Sequence, residues 1–252
     1  MTVTFLPQAA ILFLLTFSRL GSMVMLLPAF GDVNVPMRIR LVFALALTFV
    51  FFPLAEGFYG QVSGALNALL PLIGGEVLVG LLVGGTARLL MSALQVAGTA
   101  MSFQMGLSYA QSFDPSQGVQ GAILGSFLSV VAATLIMVTD LHHLFLAAIR
   151  DSYTMFKPGT LPPLGDFTQL AVDTIASSFR VGVQLTAPFL VFGLVFYLGV
   201  GILSRLMPQV QIFFVAMPAN ILLGLTMLML LLGAVMMWFL DYFTSSMQIY
   251  LL

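Results

Sequence analysis

Residues 206–240 read LMPQVQIFFVAMPANILLGLTMLMLLLGAVMMWFL and contain no charged side chain. A helix of about 20 such residues crosses the roughly 30 Å hydrocarbon core of a bilayer, so this stretch is long enough to span a membrane. Pro208 and Pro218 each remove a backbone hydrogen bond and obstruct the preceding helical turn. The stretch is therefore predicted to form a hairpin or a broken helix rather than one straight rod.

The whole chain is as apolar as this stretch. Of its 252 residues, 60% are hydrophobic and only 7% are charged, whereas soluble domains carry about 25% charged residues. The sequence therefore indicates an integral membrane protein. A net charge of -1 and a single Lys argue against nucleic acid as a partner, because phosphate binding needs clustered Lys and Arg. The lack of Cys in the sequence excludes disulfides, thiolate catalysis and Cys-based metal sites.

Seven membrane spans are predicted from the distribution of charges, so the predicted fold class is all-α. They lie near residues 8–30, 41–55, 65–87, 89–112, 119–139, 181–204 and 209–240. Six basic residues then fall on one side of the membrane, namely Arg38, Arg40, Arg88, Arg150, Lys157 and Arg180. Arg205 falls on the other side, so the positive-inside rule places the amino terminus outside and the carboxy terminus in the cytoplasm. We expect the first span to be retained, because residues 1–6 lack the basic side chain of a signal peptide.

Residues 151–166, DSYTMFKPGTLPPLGD, form the clearest polar linker, with three Pro and two Gly. This linker divides the chain into an amino-terminal helical part at 1–150 and a carboxy-terminal helical hairpin part at 167–252. Within the second part, Pro188 is expected to kink or break a helix. The predicted architecture is thus a set of kinked helical hairpins.

Three charges lie inside or beside apolar segments: Arg19, Glu76 and Arg88. A charge at mid-bilayer costs about 2.5–3.5 kcal/mol or more, so each is a candidate buried charge that needs a partner or water. On one continuous helix Glu76 and Arg88 would be about 18 Å apart at 1.5 Å per residue, which is too far for direct pairing. Each must therefore find another segment, another subunit or a wet cavity, although Arg88 could instead extend to the membrane interface.

One helix face carries a stripe of polar or small residues at Ser92, Gln95, Thr99, Ser102 and Gly106. Their spacings of 3, 4, 3 and 4 place them on the same side of a helix. Such a stripe either lines an aqueous conduit or hydrogen-bonds to neighbouring helices. The spacing alone does not decide between these two interpretations.

Two GxxxG pairs, Gly80 with Gly84 and Gly121 with Gly125, allow helix backbones to approach closely. We interpret them as packing positions within the chain rather than as a dimerisation face.

Candidates for catalysis or metal binding are few. His142 and His143 are the only histidines, and Asp140 lies beside them. Adjacent helical residues point about 100° apart, which places the two imidazoles poorly for binding one metal ion. An interfacial polar cluster and a metal or acid-base site are the two interpretations. No metalloprotease, nucleophile-elbow, nucleotide or dinucleotide motif occurs in the sequence, so we predict neither an enzyme nor a cofactor.

Residues 106–118, GLSYAQSFDPSQG, separate two apolar spans and follow the polar stripe. Pro115 disfavours helical backbone at Asp114. Non-helical backbone is tolerated at membrane depth only where protein or water surrounds it. The segment is therefore either an extramembrane turn or a re-entrant element.

The sequence resembles the flagellar biosynthetic protein FliR family, the membrane export-gate subunit that flagella share with virulence-type injectisomes. Three blocks carry the resemblance: 19–48, with Arg19, Pro28, Pro36 and Arg38; 106–118, with Asp114, Pro115 and Gly118; and 187–225, with Pro188, Arg205, Pro208, Gln209 and Pro218. Gln211 and Asn220 depart from the pattern, in which Asn and Lys are usual at these positions.

The resemblance implies a FliP-like amino-terminal part and a FliQ-like carboxy-terminal part. It implies assembly with FliP, FliQ, FlhB and FlhA into a hetero-oligomeric gate in the bacterial inner membrane, at the flagellar basal body and raised toward the periplasm. Unfolded flagellar export substrates would cross this gate, and membrane lipid would surround part of it.

The resemblance also implies a role for residues 106–118 as a plug of the export channel. Tyr109 and Phe113 would form the apolar seal, Gly106 and Gly118 would act as hinges, and Asp114 and Pro115 would shape the loop between them. An aromatic side chain contributes about 1.5–3 kcal/mol by burial, enough to favour a closed state and still yield to a driven substrate.

Other functions fit the composition less well. A stand-alone secondary transporter for a small solute needs ionisable groups near the midplane and repeated halves, and only Glu76 is an obvious candidate. An equivalent injectisome gate subunit shares the family pattern. An intramembrane hydrolase is disfavoured by the scarcity of nucleophile and base pairs.

Overall fold

The computed structural model describes residues 8–32, 35–62, 65–108, 123–159, 164–209 and 211–251. Within these ranges the regular elements are helical, and no strand occurs. They are α1 (Gln8–Val24), α2 (Met37–Glu56), α3 (Leu66–Gln104), α4 (Ile123–Val138), α5 (His142–Met155), α6 (Leu164–Leu206), α7 (Ile212–Met247) and a short 3₁₀ turn (Gln248–Tyr250). The predicted all-α class is confirmed.

The chain forms two compact units. The first unit comprises residues 1–90, 133–175 and 243–252, and the second comprises residues 91–132 and 176–242. The division of the chain at the Pro- and Gly-containing linker, residues 151–166, stays a prediction.

In the first unit, α1 packs against α2 and also against α3. Phe13 and Phe52 meet across the α1–α2 contact with their ring centroids 5.9 Å apart. On α3, Gly80 and Gly84 face the backbone of α1 so closely that a Cβ at Gly84 would lie 2.6 Å from the Met23 carbonyl oxygen. This GxxxG pair therefore serves packing within the chain, as the sequence indicated.

In the second unit, α3 makes equally close contacts with α4 and α6. Gly98 and Gly125 bring the α3 and α4 backbones together, because a Cβ at Gly98 would lie 2.7 Å from the Leu124 carbonyl carbon. A Cβ at Gly182 on α6 would lie 2.8 Å from the Ala93 carbonyl oxygen. Glycines thus set the interhelical distances in both units.

Four helices within the described ranges are long and apolar enough to cross a membrane: Met37–Glu56, Leu66–Gln104, Gly165–Leu206 and Phe214–Tyr250. The bent pair α4 and α5 raises the number to five if it counts as one span. By length and composition, the described residues thus supply fewer candidate spans than the seven predicted, and two of the seven, 65–87 and 89–112, lie in the single helix α3. The helix α1 has only 17 residues, or about 26 Å at 1.5 Å per residue. It is therefore shorter than the roughly 30 Å hydrocarbon core of a bilayer.

The predicted boundary between spans 65–87 and 89–112 is wrong, because α3 runs unbroken through Arg88 for 39 residues. A charged side chain lowers hydropathy but leaves the backbone hydrogen bonds of a helix intact. Arg88 points to the surface of the chain, so the helix continues past it. The predicted orientation in the membrane counted Arg88 among the basic loop residues on one side. Because Arg88 lies within α3, it no longer supports that orientation.

Pro188 and Pro218 were each predicted to kink or break a helix, and neither breaks one. Pro188 lies inside the 43-residue α6 and Pro218 inside the 36-residue α7. Of these prolines, only Pro208 lies just past a helix end, at Leu206. The apolar run 206–240 therefore lies in one long helix from Ile212 onward. Helices in apolar surroundings tolerate Pro where neighbouring groups satisfy the freed carbonyls.

A sharp bend separates α4 from α5. The two helix axes differ by 74° across residues 139–141, and Asp140 has a backbone φ of 59°, which L-residues adopt rarely. The helix α5 then covers residues that the sequence assigned partly to the linker at 151–166. The connection to α6 accordingly begins only after Met155.

Close packing at Gly84 generates a stability prediction. Substitution Gly84→Ala would press a methyl group against Met23 of α1 and against Leu26, just after its end, and overpacking of this kind costs about 1–3 kcal/mol. We expect a lower midpoint of thermal unfolding for the purified protein.

The matched control is Gly74→Ala, since a Cβ there meets no atom within 4 Å. It should leave the midpoint unchanged or raise it, because Ala is a better helix former than Gly. Equal destabilisation by both substitutions would contradict close α1–α3 packing at Gly84.

Candidate functional site

The predicted plug begins at the carboxy-terminal end of α3. The Met105 amide donates to the Met101 carbonyl at 2.9 Å, and the Gly106 amide donates to the Phe103 carbonyl at 3.2 Å. Gly106 has φ = 75°, a left-handed conformation that glycine adopts without steric cost and that commonly ends helices. The other predicted plug residues, Tyr109, Phe113, Asp114, Pro115 and Gly118, lie outside the described residues.

Asn220 of α7 lies beside this helix end. Its side chain is 2% exposed, and its Nδ2 donates to the Gln104 carbonyl at 3.2 Å and to the Tyr197 hydroxyl at 3.4 Å. The sequence marked Asn220 only as a departure from the family pattern. A polar side chain within the charge-free run 206–240 was the available signal.

Two members of the polar stripe make hydrogen bonds within the second unit, whereas the buried Ser102 hydroxyl has no hydrogen-bond partner among the described residues. Gln95 Nε2 donates to Ser129 Oγ of α4 at 2.9 Å, and Thr99 Oγ1 donates to the Gln95 carbonyl at 2.7 Å. Ser102 is buried, and Ser92 is half-buried. These contacts supply a packing role for the stripe, and a role in lining a conduit stays a prediction.

A buried ion pair forms the centre of the first unit. Arg19 of α1 donates through Nε to the Glu76 carboxylate of α3, and both side chains are 2% exposed. The sequence predicted that each of these charges needs another segment, another subunit or a wet cavity, and the structure pairs Arg19 with Glu76 of another helix. Arg88 is exposed on this chain.

The Arg19 guanidinium also binds the end of α5. Its Nη1 donates to the Ser152 carbonyl at 3.0 Å, and its Nη2 donates to the Phe156 carbonyl at 3.0 Å. A cation is favoured there, because the carbonyls at a helix carboxy terminus carry the negative end of the helix dipole. The guanidinium carbon lies 4.1 Å from the Tyr153 ring centroid, within the range of a cation-π contact. We call Arg19, Glu76, Ser152, Tyr153 and Phe156 the charge cluster.

A cavity of about 180 Å³ adjoins the charge cluster, and Arg19, Glu76 and Lys157 contribute to its lining. Tyr59, in the connection between α2 and α3, lies close to the same carboxylate. Burial raises the pKa of the Tyr59 hydroxyl, and the Glu76 charge raises it further. Tyr59 therefore remains neutral next to the ion pair.

The histidine pair lies at the bend between α4 and α5. The imidazole ring centroids of His142 and His143 are 4.3 Å apart, and one ligand atom from each, together with an Asp140 carboxylate oxygen, lie within 4.8 Å of one another. His142 is the first residue of α5. The polar-cluster and metal-site interpretations both stay open.

Comparison of the sequence with known proteins shows which family the chain belongs to. Residues 10–246 match the family model described as bacterial export proteins, family 1. The chain belongs to this family. Among relatives named "Flagellar biosynthetic protein FliR", that of Caulobacter vibrioides is 44% identical over 94% of each chain. That of Bacillus subtilis is 30% identical over 88% of this chain and 86% of its own, and that of Escherichia coli is 26% identical over 83% and 80%.

The resemblance drawn from the three sequence blocks is thereby confirmed. The family match covers the charge cluster, the stripe and the end of α3, since all of them lie within residues 10–246. In this member of the bacterial export proteins, Arg19 of the first block pairs with Glu76 of α3, and Gly106, which begins the second block, follows the end of α3.

The charge cluster predicts a double-substitution effect. Arg19→Met or Glu76→Leu alone leaves one buried charge without its partner, which costs about 3–5 kcal/mol. Combining the two substitutions replaces the pair by apolar side chains and should recover a large part of the lost stability. Thermal unfolding and the amount of protein in the membrane fraction measure both effects.

Arg88→Met is the control, because an exposed charge contributes within about 0.5 kcal/mol. If the double substitution is as damaging as the sum of the single ones, the ion pair does not account for the burial of these two charges.

Proposed function

We propose that this protein is a core subunit of the flagellar type III export gate and forms part of the wall of a channel for unfolded export substrates. One observation carries this proposal beyond family membership: three apolar helices are too long for a bilayer. They have 39, 43 and 36 residues, or about 58, 64 and 54 Å at 1.5 Å per residue. Even at a tilt of about 40°, the shortest reaches about 41 Å along the membrane normal, whereas the hydrocarbon core is about 30 Å thick.

These helices are also poorly covered by the chain itself. Of the most apolar windows in the four candidate spans, only 17–28% of residues are buried. Exposed apolar side chains occur along the length of α6 and α7, for example Val195 at 64% and Leu230 at 78%. Apolar surface that extends beyond the bilayer requires sister subunits to cover it. This requirement supports a hetero-oligomer in the inner membrane at the flagellar basal body, raised toward the periplasm.

FliP, FliQ, FlhB and FlhA are the partners that the family implies. In this proposal, residues 1–150 form the FliP-like part, residues 167–252 form the FliQ-like part, and residues 151–166 join them. The relatives found by comparison carry flagellar names, which supports a flagellar rather than an injectisome system. We propose no catalytic role and no cofactor.

Residues 106–118 are proposed to plug the channel. The left-handed backbone of Gly106 supports its role as the first hinge, since α3 ends there. Tyr109 and Phe113 would provide the seal, with Asp114 and Pro115 between that seal and the second hinge, Gly118.

A stand-alone transporter for a small solute is the alternative function. Its one candidate ionisable group, Glu76, is engaged by Arg19, and this engagement counts against it. Solute transport by the purified chain alone would favour the alternative, whereas copurification with other small apolar proteins favours the gate.

Deletion of residues 107–117 tests the plug. We expect the assembled complex to leak ions or small solutes, because the apolar seal is gone while the helices remain. Ion flux into vesicles containing the purified complex measures the leak.

Two substitutions in the intact loop sharpen this experiment. Changing Tyr109 and Phe113 together to Ser should also cause a leak, whereas changing both to Leu should keep the complex closed, since Leu retains apolar burial. A tight complex after the deletion, with normal assembly, would remove the plug assignment.

Cysteines placed at Ser92, Gln95 and Thr99 test whether the stripe lines the path below the plug. Water-soluble maleimide should label them faster than cysteines at the exposed apolar positions Val195 and Leu230 if the stripe faces water. Labelling no faster than at these controls would restore the packing interpretation.

A further inference from the structure

Three potential metal ligands lie together where α5 begins. Asp140 lies in the connection from α4, and His142 and His143 are the first two residues of α5. One ligand atom from each of the three lies within 4.8 Å of the other two. The ligand atoms of a tetrahedral zinc site, with bonds of about 2.0–2.2 Å, lie about 3.4 Å apart. Asp140 and His143 are exposed, so rotation of their side chains closes this difference.

The His143 ring is already oriented as a ligand. Its Nδ1 lies 3.1 Å from the Asp140 carbonyl oxygen. Because a carbonyl only accepts, this contact assigns the proton of the neutral ring to Nδ1 and the lone pair to Nε2. Histidines that bind metal ions commonly donate their other ring N–H to a backbone carbonyl in this way. His143 therefore presents Nε2 as the nitrogen that binds a metal ion.

The other two groups are not used by the chain itself. His142 Nδ1 is buried and has no hydrogen-bond partner within the described ranges, although buried polar atoms nearly always have one. The Asp140 carboxylate takes part in no ion pair within those ranges. Asp140 has φ = 59°, and Asp adopts this left-handed backbone more readily than most residues do. The turn thus accounts for an Asp at position 140 but for neither histidine.

We propose that Asp140, His142 and His143 form a binding site for a divalent transition-metal ion, with Zn²⁺ as its best fit. Two imidazoles and one carboxylate suit Zn²⁺, whereas Mg²⁺ and Ca²⁺ prefer oxygen ligands. Binding through Nδ1 would satisfy the buried nitrogen of His142, and water would fill the fourth position. The ion would be structural rather than catalytic, and the site is independent of the proposed export-gate function.

The start of α5 is where such an ion would act. Leu141 occupies the N-cap position and makes no side-chain capping bond, although capping side chains normally stabilise a helix start. A metal ion held by residues 140, 142 and 143 would fasten the first turn of α5 to the connection before it. The positive end of the helix dipole disfavours a cation here, and the Asp140 carboxylate offsets that cost. The other end of α5 binds Arg19, so the ion would stabilise a helix that completes the charge cluster.

Equilibrium dialysis against Zn²⁺ tests the site, with the full chain purified in its assembled complex, free of affinity tags and first treated with a chelator. His142→Ala, His143→Ala and Asp140→Asn should each weaken one binding event per chain by about tenfold or more, because even loss of a group that orients a metal ligand costs about 10–100-fold. Asp140 and His143 are exposed, and Asn also tolerates a left-handed backbone. The variants at these two positions therefore decide the test even if His142→Ala fails to assemble.

The matched control is Asp173→Asn, which neutralises an exposed carboxylate of α6 that accepts a hydrogen bond from Gln169 at 3.0 Å. It should leave Zn²⁺ binding unchanged. Excess Mg²⁺ should not compete, and Co²⁺ in place of Zn²⁺ should give the visible absorption of a tetrahedral site in the wild type and not in His143→Ala. If the wild type binds no Zn²⁺, or binds it no more tightly than the ligand variants do, the site is overturned and an interfacial polar cluster remains.

Hydrogen exchange tests the structural role. The amides of His143 and Leu144 donate to the carbonyls of Asp140 and Leu141, both at 3.0 Å. At a Zn²⁺ concentration 100 times its Kd, opening that releases the ion is suppressed by up to about 100-fold, so exchange at these two amides should slow by up to that factor. Unchanged exchange in the Zn²⁺-bound wild type, or equal slowing in His143→Ala, overturns the role of the ion at the start of α5.

Discussion

The first unit depends on the pairing of two charges that could not stay buried alone. Arg19 and Glu76 lie 57 residues apart in sequence, yet both are 2% exposed. The guanidinium makes further bonds to two carbonyls at the end of α5, so one side chain joins α1, α3 and α5. Removing either charge leaves the other in apolar surroundings, where the desolvation cost is large. The ion pair therefore selects one arrangement of three helices whose apolar faces would otherwise pack in many ways.

The fold class follows from the sequence because charge-free runs of about 20 residues have few alternatives to helix in a membrane. The positions of the helix ends do not follow from the sequence in the same way. Hydropathy depends on side chains, whereas the continuity of a helix depends on its backbone hydrogen bonds. Arg88 lowers the hydropathy of its window but keeps its backbone bonds, so α3 passes through it. Pro188 and Pro218 remove single bonds and also fail to end a helix. Pro208 lies just past the end of α6 at Leu206, and Pro disfavours helical backbone at the residue before it.

The sequence predicted which residues of the candidate site need partners, but not which residues those partners are. Burial of Arg19 and Glu76 was expected from their apolar neighbours, but their pairing depends on how α1 packs against α3, which the glycines at 80 and 84 decide. Asn220 was visible only as an unusual residue, because its bonds to Gln104 and Tyr197 require three helices to converge. Long-range hydrogen bonds of this kind leave no periodic signal in a sequence.

The length of α6 has a consequence for how cells make this protein. Membrane insertion stabilises roughly 20 apolar residues of a helix in lipid, and α6 has 43 residues in all. A newly synthesised copy therefore carries uncovered apolar surface until it meets the subunits of its complex, and exposed surface of this kind invites aggregation and proteolysis. Degradation of unassembled copies would then match the supply of this protein to that of its partners, without any dedicated control of its synthesis.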